Sequence, residues 1–295
     1  MITRMRLKAR GKINLGLDVI RKREDGYHEV KMVMQTVGLY DSIDLRAVSR
    51  PGIRVETNLY YLPNDQNNLV WKAAEMLMKE FDLQGGLDIR LRKMIPVAAG
   101  MAGGSSDGAA VLRLLRRALA PELPDRALEA MALQVGSDVP YCVRGGTALA
   151  EGRGEVLTDL PALPDCFLVV CKPSFPISTP ELFARVRLRQ LRCHPDTAGL
   201  STALYNGDLS GVCRRVYNVF EDMLPRKYRE VGEIKRQLMD LDAAAACMTG
   251  SGPTVFGVFT DEAMARRALE QLRQEYPQTF LTRPVGRCAP ADKYG

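Results

Sequence analysis

The chain has 295 residues, 46% hydrophobic and 26% charged, which excludes a disordered or collagen-like protein and allows about two domains at roughly 150 residues each. Its 41 Lys and Arg against 35 Asp and Glu leave a net +6, too modest and dispersed to single out a nucleic acid or any other partner. Seven Cys (142, 166, 171, 193, 213, 247 and 288) without a C-x-x-C pair, and only two His, exclude a zinc ribbon and an H-E-x-x-H centre and point to a reducing compartment.

The first residues carry Arg but no apolar run after it, and no stretch approaches the roughly 18 apolar residues of a membrane span, so a cytoplasmic protein without membrane attachment is expected. Ile13, Leu15, Leu17 and Val19 alternate as in a half-buried strand. Lys12 and Asn14 then project from one face of that strand. A turn at Glu24-Asp-Gly-Tyr27 delivers Tyr27 and His28, an aromatic and a hydrogen-bonding ring suited to holding a flat ligand. Ile43 and Leu45 suggest the next strand.

Asn67-Asn68 offers an N-cap to a helix with Leu69, Ala73, Leu77 and Phe81 at four-residue spacing, ending near Gly85-Gly86. Leu87, Ile89 and Leu91 alternate with charged residues as a strand. A loop from Lys93 to Gly104 leads to a helix beginning around Ser105-Ser106-Asp107, with Val111, Leu112, Leu115, Ala118 and Leu119 on its apolar side.

That loop is the most informative segment. Gly100, Gly103 and Gly104, interleaved with alanines, let the backbone approach an anion, and the following helix presents unpaired N–H groups and the positive end of its dipole. A phosphate is the expected ligand, with Ser105 and Ser106 as hydroxyl donors. Neither G-x-x-x-x-G-K-[ST] nor G-x-G-x-x-G is present. Gly104-Ser-Ser-Asp-Gly108 does match the G-x-S-x-G of hydrolases, with Ser106, Asp138 and His194 in their chain order. A nucleophile elbow must follow a strand at once, whereas about a dozen loop residues intervene here, so hydrolysis stays a competing reading.

Gly136-Ser-Asp-Val-Pro140 places Asp138 before an apolar, strand-like run. Pro161 and Pro164, in the stretch 158–165, mark the best domain boundary, giving domains 1–160 and 161–295. The second half reads as a strand at Phe167–Cys171, a polar, Arg-rich segment to about Gly211, a helix over 226–241, a strand at Thr254–Phe259 and a helix capped by Asp261. Met248-Thr-Gly-Ser-Gly-Pro-Thr-Val-Phe256 is a third Gly-rich stretch, in which Thr249, Gly250, Ser251 and Gly252 could close over phosphates.

Three motifs together, K-I-N-L at Lys12, P-x-x-x-G-x-x-G-G-S-S-D-x-A-A from Pro96 and M-T-G-S-G-P-T-V-F from Met248, resemble the GHMP kinase superfamily. K-I-N-L-x-L-x-V-x-x-K-R-x-D-G-Y-H-E is closer still to the branch acting on a CDP-linked methylerythritol. The resemblance implies an α+β, two-domain GHMP kinase fold, with an N-terminal ribosomal S5 domain 2-like α/β domain, a C-terminal ferredoxin-like α+β domain and the active site between them. It implies ATP-dependent phosphorylation of the 2-hydroxyl of 4-diphosphocytidyl-2-C-methyl-D-erythritol in the non-mevalonate isoprenoid route, with Mg²⁺ accompanying ATP. By matching motif, Asp138 and Lys12 are catalytic. Lys93, Pro96, Gly100, Ala102, Gly103, Gly104, Ser105, Ser106 and Asn68 are expected at ATP, and Asn14, Tyr27, His28, Phe183 and Thr179 at the substrate. Metal ligands and oligomeric state are not implied. Ala102 replaces a glycine of the family's loop, and Arg10-Gly11 replaces the usual small or Pro residues. A homoserine or mevalonate kinase is the nearest alternative, set aside because such substrates have no use for Tyr27 and His28. A noncatalytic RNA-binding protein lacks its aromatic signatures here.

Overall fold

The computed structural model describes residues 4–287, and Cys288 lies outside the described residues. The first half runs β1 (Met5–Lys22), β2 (His28–Val48), β3 (Gly52–Thr57), α1 (Leu69–Glu80), β4 (Gly86–Arg92), α2 (Gly103–Leu119), α3 (Asp125–Val135), α4 (Val139–Arg144), β5 (Thr147–Glu151) and β6 (Val156–Leu160). The second runs β7 (Phe167–Lys172), α5 (Thr179–Ala184), α6 (Thr197–Tyr205), α7 (Leu209–Cys213), β8 (Tyr217–Asn218), α8 (Glu230–Asp240), β9 (Ala245–Met248), β10 (Val255–Phe259), α9 (Glu262–Glu275) and β11 (Gln278–Thr282).

A seven-stranded sheet has the order β3-β4-β2-β1-β8, with β5 also pairing β2 and β6 pairing β5. A four-stranded antiparallel sheet follows the order β11-β7-β10-β9. Taken with α8 and α9 between its strands, this second unit is the β-α-β-β-α-β pattern of a ferredoxin-like domain.

β1 does more than alternate. Every residue from Gly11 to Val19 is buried, because helices of the first half cover one face of the sheet and the second sheet covers part of the other. Ile13 and Leu15 share a core with Leu168, Val170 and Phe256, whereas Leu17 and Val19 join the core that also holds α1 and α2. Register shifts at Arg10/Lys12, Asn14/Gly16 and Val19/Arg21 mark bulges, which re-aim side chains along a long strand. β8 returns from the second half to pair with β1, and both cores draw residues from each side of position 160, so neither the sheets nor the cores divide cleanly there.

Two expectations change. The apolar run after Asp138 is helix α4, not a strand; it begins with Pro140 in its first turn, where a missing N–H costs nothing. Its six residues are too few and too uniformly apolar for periodicity to discriminate. Helix α8 starts at Glu230 rather than 226, after a separate turn of 3₁₀ helix at Arg226–Tyr228. The polar segment before Gly211 contains α5, α6 and the start of α7, with Ser178, Asp196 and Asp208 as side-chain caps. No helix among the described residues is long and apolar enough to cross a membrane.

Candidate active site

The strand β4, the loop after it and α2 build one wall of a cleft of about 1130 Å³. Helix α2 has no side-chain cap and no acidic residue in its first turn. Its first backbone bond is donated by Ser106 to the Ala102 carbonyl (2.8 Å), so the N–H groups of Gly103, Gly104 and Ser105 stand ahead of the ladder, as an anion site requires. Ala102 takes the left-handed conformation (φ +54°). The chain thus keeps the geometry of a glycine with an alanine, at a strain of about 1–2 kcal/mol.

Pro96, Gly100, Ala102, Gly103, Gly104, Ser105, Lys93 and Asn68 all line the cleft. Ser106 does not. It is buried, and its hydroxyl donates to the Arg10 carbonyl (2.6 Å), which ties α2 to β1 instead of offering a donor to a ligand. Asn68 caps α1, accepting from Val70 N–H (3.0 Å) and donating to the Pro63 carbonyl (2.8 Å). The Lys93 ammonium is shared by two buried carboxylates, Asp41 and Asp107 (2.7 Å to the latter). Asp41 also accepts from Ile95 N–H (2.8 Å), and Asp107 Oδ1 has no partner. Burial works to lower the Lys93 pKa, but attraction from Asp107 and Asp41 outweighs it and raises it. One ammonium cannot neutralise two carboxylates. Burial raises Asp107, more than Lys93 lowers it.

Lys12 emerges at the first bulge of β1. Its backbone N–H donates to Met101 (3.1 Å), and its ammonium to Asn14 Oδ1 (2.7 Å) and the Gly100 carbonyl (2.9 Å). Asn14 is fully buried and does not line the cleft, so it orients Lys12. Burial lowers the Lys12 pKa, with Asp138 and Cys142 opposing it less strongly. Asp138 caps α4 without a side-chain cap bond; among the described residues its half-buried carboxylate takes no hydrogen bond. Lys12 and Asp138 both line the cleft and form no ion pair within 4 Å.

At the other end stand Tyr27, His28 and Phe183. Tyr27 is 54% exposed. His28 packs against Phe183 (ring centroids 5.1 Å apart), and Phe183 meets Phe220 edge-on (4.9 Å). Burial first and Lys22 second lower the His28 pKa, which favours the neutral imidazole. Tyr27 and Phe183 make no ring contact with each other.

The loop Thr249–Gly252 closes the cleft from the second sheet. Asn218 Nδ2 donates to the carbonyls of Met248 (2.8 Å) and Gly250 (2.9 Å). Thr179 and Ser251 share a hydroxyl bond (2.6 Å), Thr249 is buried, and Gly250, Ser251, Gly252 and Thr179 line the cleft. The two glycine loops interlock: a Cβ on Gly100 would lie 2.1 Å from the Thr249 carbonyl oxygen, and one on Gly250 2.6 Å from the Gly100 oxygen.

The hydrolase geometry is absent. Ser106 is spent on Arg10, and His194 pairs with Asp18 (2.8 Å) across the two halves of the chain. The sequence reading missed Asp41, Asn218 as the anchor of the closing loop, and Arg153, which lies over Tyr27. For Asp41 no local signal exists; for Arg153 the flanking glycines of Glu151-Gly-Arg-Gly-Glu155 were one.

Comparison with known proteins agrees with this geometry. The family described as "GHMP kinases N terminal domain" matches residues 68–146, and "GHMP kinases C terminal" matches residues 200–278. A 4-diphosphocytidyl-2-C-methyl-D-erythritol kinase of Clostridium botulinum (strain Kyoto / Type A2) is 40% identical over 94% of this chain and 99% of that protein. The enzyme of that name from Lachnospira eligens is 45% identical over 94% of this chain and 97% of its own. A crystal structure of 4-(cytidine 5'-diphospho)-2C-methyl-D-erythritol kinase matches with a TM-score of 0.82 at 32% identity, covering 96% of this chain and 100% of that one. A homoserine kinase from Cytophaga hutchinsonii shares the fold (TM-score 0.75, 17% identity, 97% and 96% covered).

Proposed function

The chain belongs to the GHMP kinases, in the family of the 4-diphosphocytidyl-2-C-methyl-D-erythritol kinases, and from that premise we propose which of its residues carry out the phosphoryl transfer. The enzyme is an ATP-dependent kinase that phosphorylates the 2-hydroxyl of 4-diphosphocytidyl-2-C-methyl-D-erythritol, a step toward isoprenoid precursors. The observation that carries the assignment of roles is the pairing, in one cleft, of an uncapped helix start with an uncommitted carboxylate and a buried lysine.

ATP lays its phosphates on the N–H groups of Gly103, Gly104 and Ser105, with Pro96 and Asn68 toward the nucleoside. The 2-hydroxyl enters between Lys12 and Asp138. Asp138 accepts its proton, the freed oxygen attacks the γ-phosphorus, and ADP leaves. Lys12 offsets the charge that gathers on the attacking oxygen and transferring group. Asn14 and the Gly100 carbonyl hold that ammonium in place. The cytosine fills the gap between Tyr27 and Phe183, with neutral His28 at its edge, and Thr179 and Ser251 border the same wall. A substrate without a nucleobase leaves that wall empty, which separates this reading from the homoserine and mevalonate kinases.

Among the described residues no group of three or more His, Cys, Asp or Glu could cage a metal. That fits Mg²⁺, which keeps several waters and binds through substrate phosphates and one or two carboxylates. Of the cleft carboxylates, Asp107 keeps an oxygen without a partner and would be the one to hold the ion, which would supply charge neutralisation at the phosphates and leave Asp138 as the base. The six cysteines of the described residues are free thiols, in keeping with the cytoplasmic location we assign. The partners are two small molecules rather than a nucleic acid.

The test is ADP release by the purified protein with and without 4-diphosphocytidyl-2-C-methyl-D-erythritol. Turnover should require that substrate, and Asp138→Asn should reduce kcat by about 10²–10⁴, the range for a positioned general base. Folded Asp138→Asn protein with wild-type turnover would remove the assigned base.

A further inference from the structure

The turn joining β5 to β6 reads Glu151-Gly-Arg-Gly-Glu155. Gly152 and Gly154 both take positive φ (+72° and +114°). The Arg153 N–H donates to Glu155 Oε2 (2.5 Å), and the Gly152 carbonyl accepts from Val30 N–H (2.8 Å). The turn is thereby fixed to itself and to β2, with a single arginine at its tip.

Its placement is specific. The Arg153 guanidinium lies over the Tyr27 ring, 4.9 Å from the centroid. On the other side, Gly154 comes so close to the reacting carboxylate that a Cβ there would fall 4.0 Å from Asp138 Oδ1. Arg153 lines the cleft with its side chain 29% exposed, so it stands between the ring wall and the site of chemistry.

Among the described residues the cations lining the cleft are Lys12, Lys22, Lys93 and Arg153. Lys93 is saturated by Asp41 and Asp107, and Lys12 is committed to Asn14 and Gly100. Among the described residues Arg153 has one ion pair, to Glu155 at 3.9 Å, which is beyond hydrogen-bond reach. Its planar set of N–H donors is therefore unspent, and stacking on Tyr27 orients the group without using them. Such a fork matches the oxygens of a phosphate.

We propose that Arg153 is a specificity-determining residue that binds the diphosphate of the nucleotide-linked substrate, while Tyr27, His28 and Phe183 hold its base. The inference rests on the substrate assigned above: a diphosphate joining a base at Tyr27 to an alcohol at Asp138 must cross the place where Arg153 stands. The guanidinium also offsets the repulsion between that diphosphate and Asp138.

The experiment is calorimetric titration of wild type, Arg153→Gln and Arg153→Lys with cytidine and with CDP, beside steady-state kinetics. Arg153→Gln should weaken CDP about tenfold, equivalent to about 1.4 kcal/mol, and leave cytidine within about twofold. Arg153→Lys should recover part of the loss. The KM for the substrate should rise about tenfold while the KM for ATP holds. Equal weakening of cytidine and CDP would mean that Arg153 only supports Tyr27, and unchanged CDP affinity would mean that it touches no phosphate; either overturns the proposal. Wild-type protein that binds CDP through Arg153 but does not turn over the assigned substrate would refute the assignment of that substrate and uphold the diphosphate site.

Discussion

Replacing Lys93 by Met tests the buried ionic cluster at the base of the glycine-rich loop. Methionine matches the lysine stem in length, so packing changes little while the ammonium disappears. The lysine side chain is 4% exposed, and its partners Asp41 and Asp107 are 0% and 3% exposed. Asp41 keeps the backbone donors of Met94 and Ile95, but Asp107 keeps no donor at all, since its other oxygen already lacks a partner. Removing one partner of a buried pair costs about 3–5 kcal/mol, a large part of a typical stability of roughly 5–15 kcal/mol. Adding Asp107→Asn removes the stranded charge and should restore about 1–3 kcal/mol. The assay is urea denaturation followed by circular dichroism and by the single tryptophan, Trp71. A carboxyl whose folded pKa is raised favours folding at low pH and loses that contribution as pH rises above the unfolded value, so the Lys93→Met deficit should widen from acid toward neutral pH. A single variant within 1 kcal/mol of wild type, or a double variant no more stable than the single, would refute this description of the cluster.

Lys12→Met should lower kcat by about 10²–10³, the scale of one lost donor to a developing oxyanion, with a smaller change in the KM for ATP. Because burial lowers the Lys12 pKa, the wild-type rate should fall with rising pH below the ordinary lysine value, and Lys12→Arg should move that limb upward; a pH profile identical in both proteins would separate the limb from Lys12. Gly100→Ala should cost more than the roughly 1–2 kcal/mol of left-handed strain, since its methyl must also push the Thr249 carbonyl away. An unchanged melting temperature would show that the two loops are not in contact.

The site was legible where chemistry and chain proximity coincide. The small-residue loop ahead of an amphipathic helix could be read as a cleft wall because backbone N–H groups, not distant side chains, form it. Lys12 and Asn14 were correctly placed on one face of a strand, but alternation could not say that Asn14 would serve the lysine rather than the substrate. Ser106 looked like a donor because it stands beside Ser105 where the glycine loop enters the helix; only packing of α2 on β1 consumes its hydroxyl. Asp41 joins the site from 52 residues before Lys93, a pairing that exists only once β2 and β4 are adjacent. Helix α4 was misread because a six-residue apolar run carries no period. The weave of two cores across the 158–165 stretch was equally hidden, since proline content marks a crossing between sheets and not the contacts made afterward.

The interlocked glycines at Gly100 and Gly250 also bear on how ligands come and go. Kinases often open by swinging one lobe away from the other, yet here two backbones mesh at the fulcrum while Ile13 and Leu15 are buried against the second sheet. A swing about the cleft would drive the Thr249 carbonyl into the Gly100 α-carbon or pull a buried apolar core open to water. The traffic of substrates therefore passes over the cleft's rim, where Tyr27 and the Arg153 turn meet solvent, while the frame behind it stays closed.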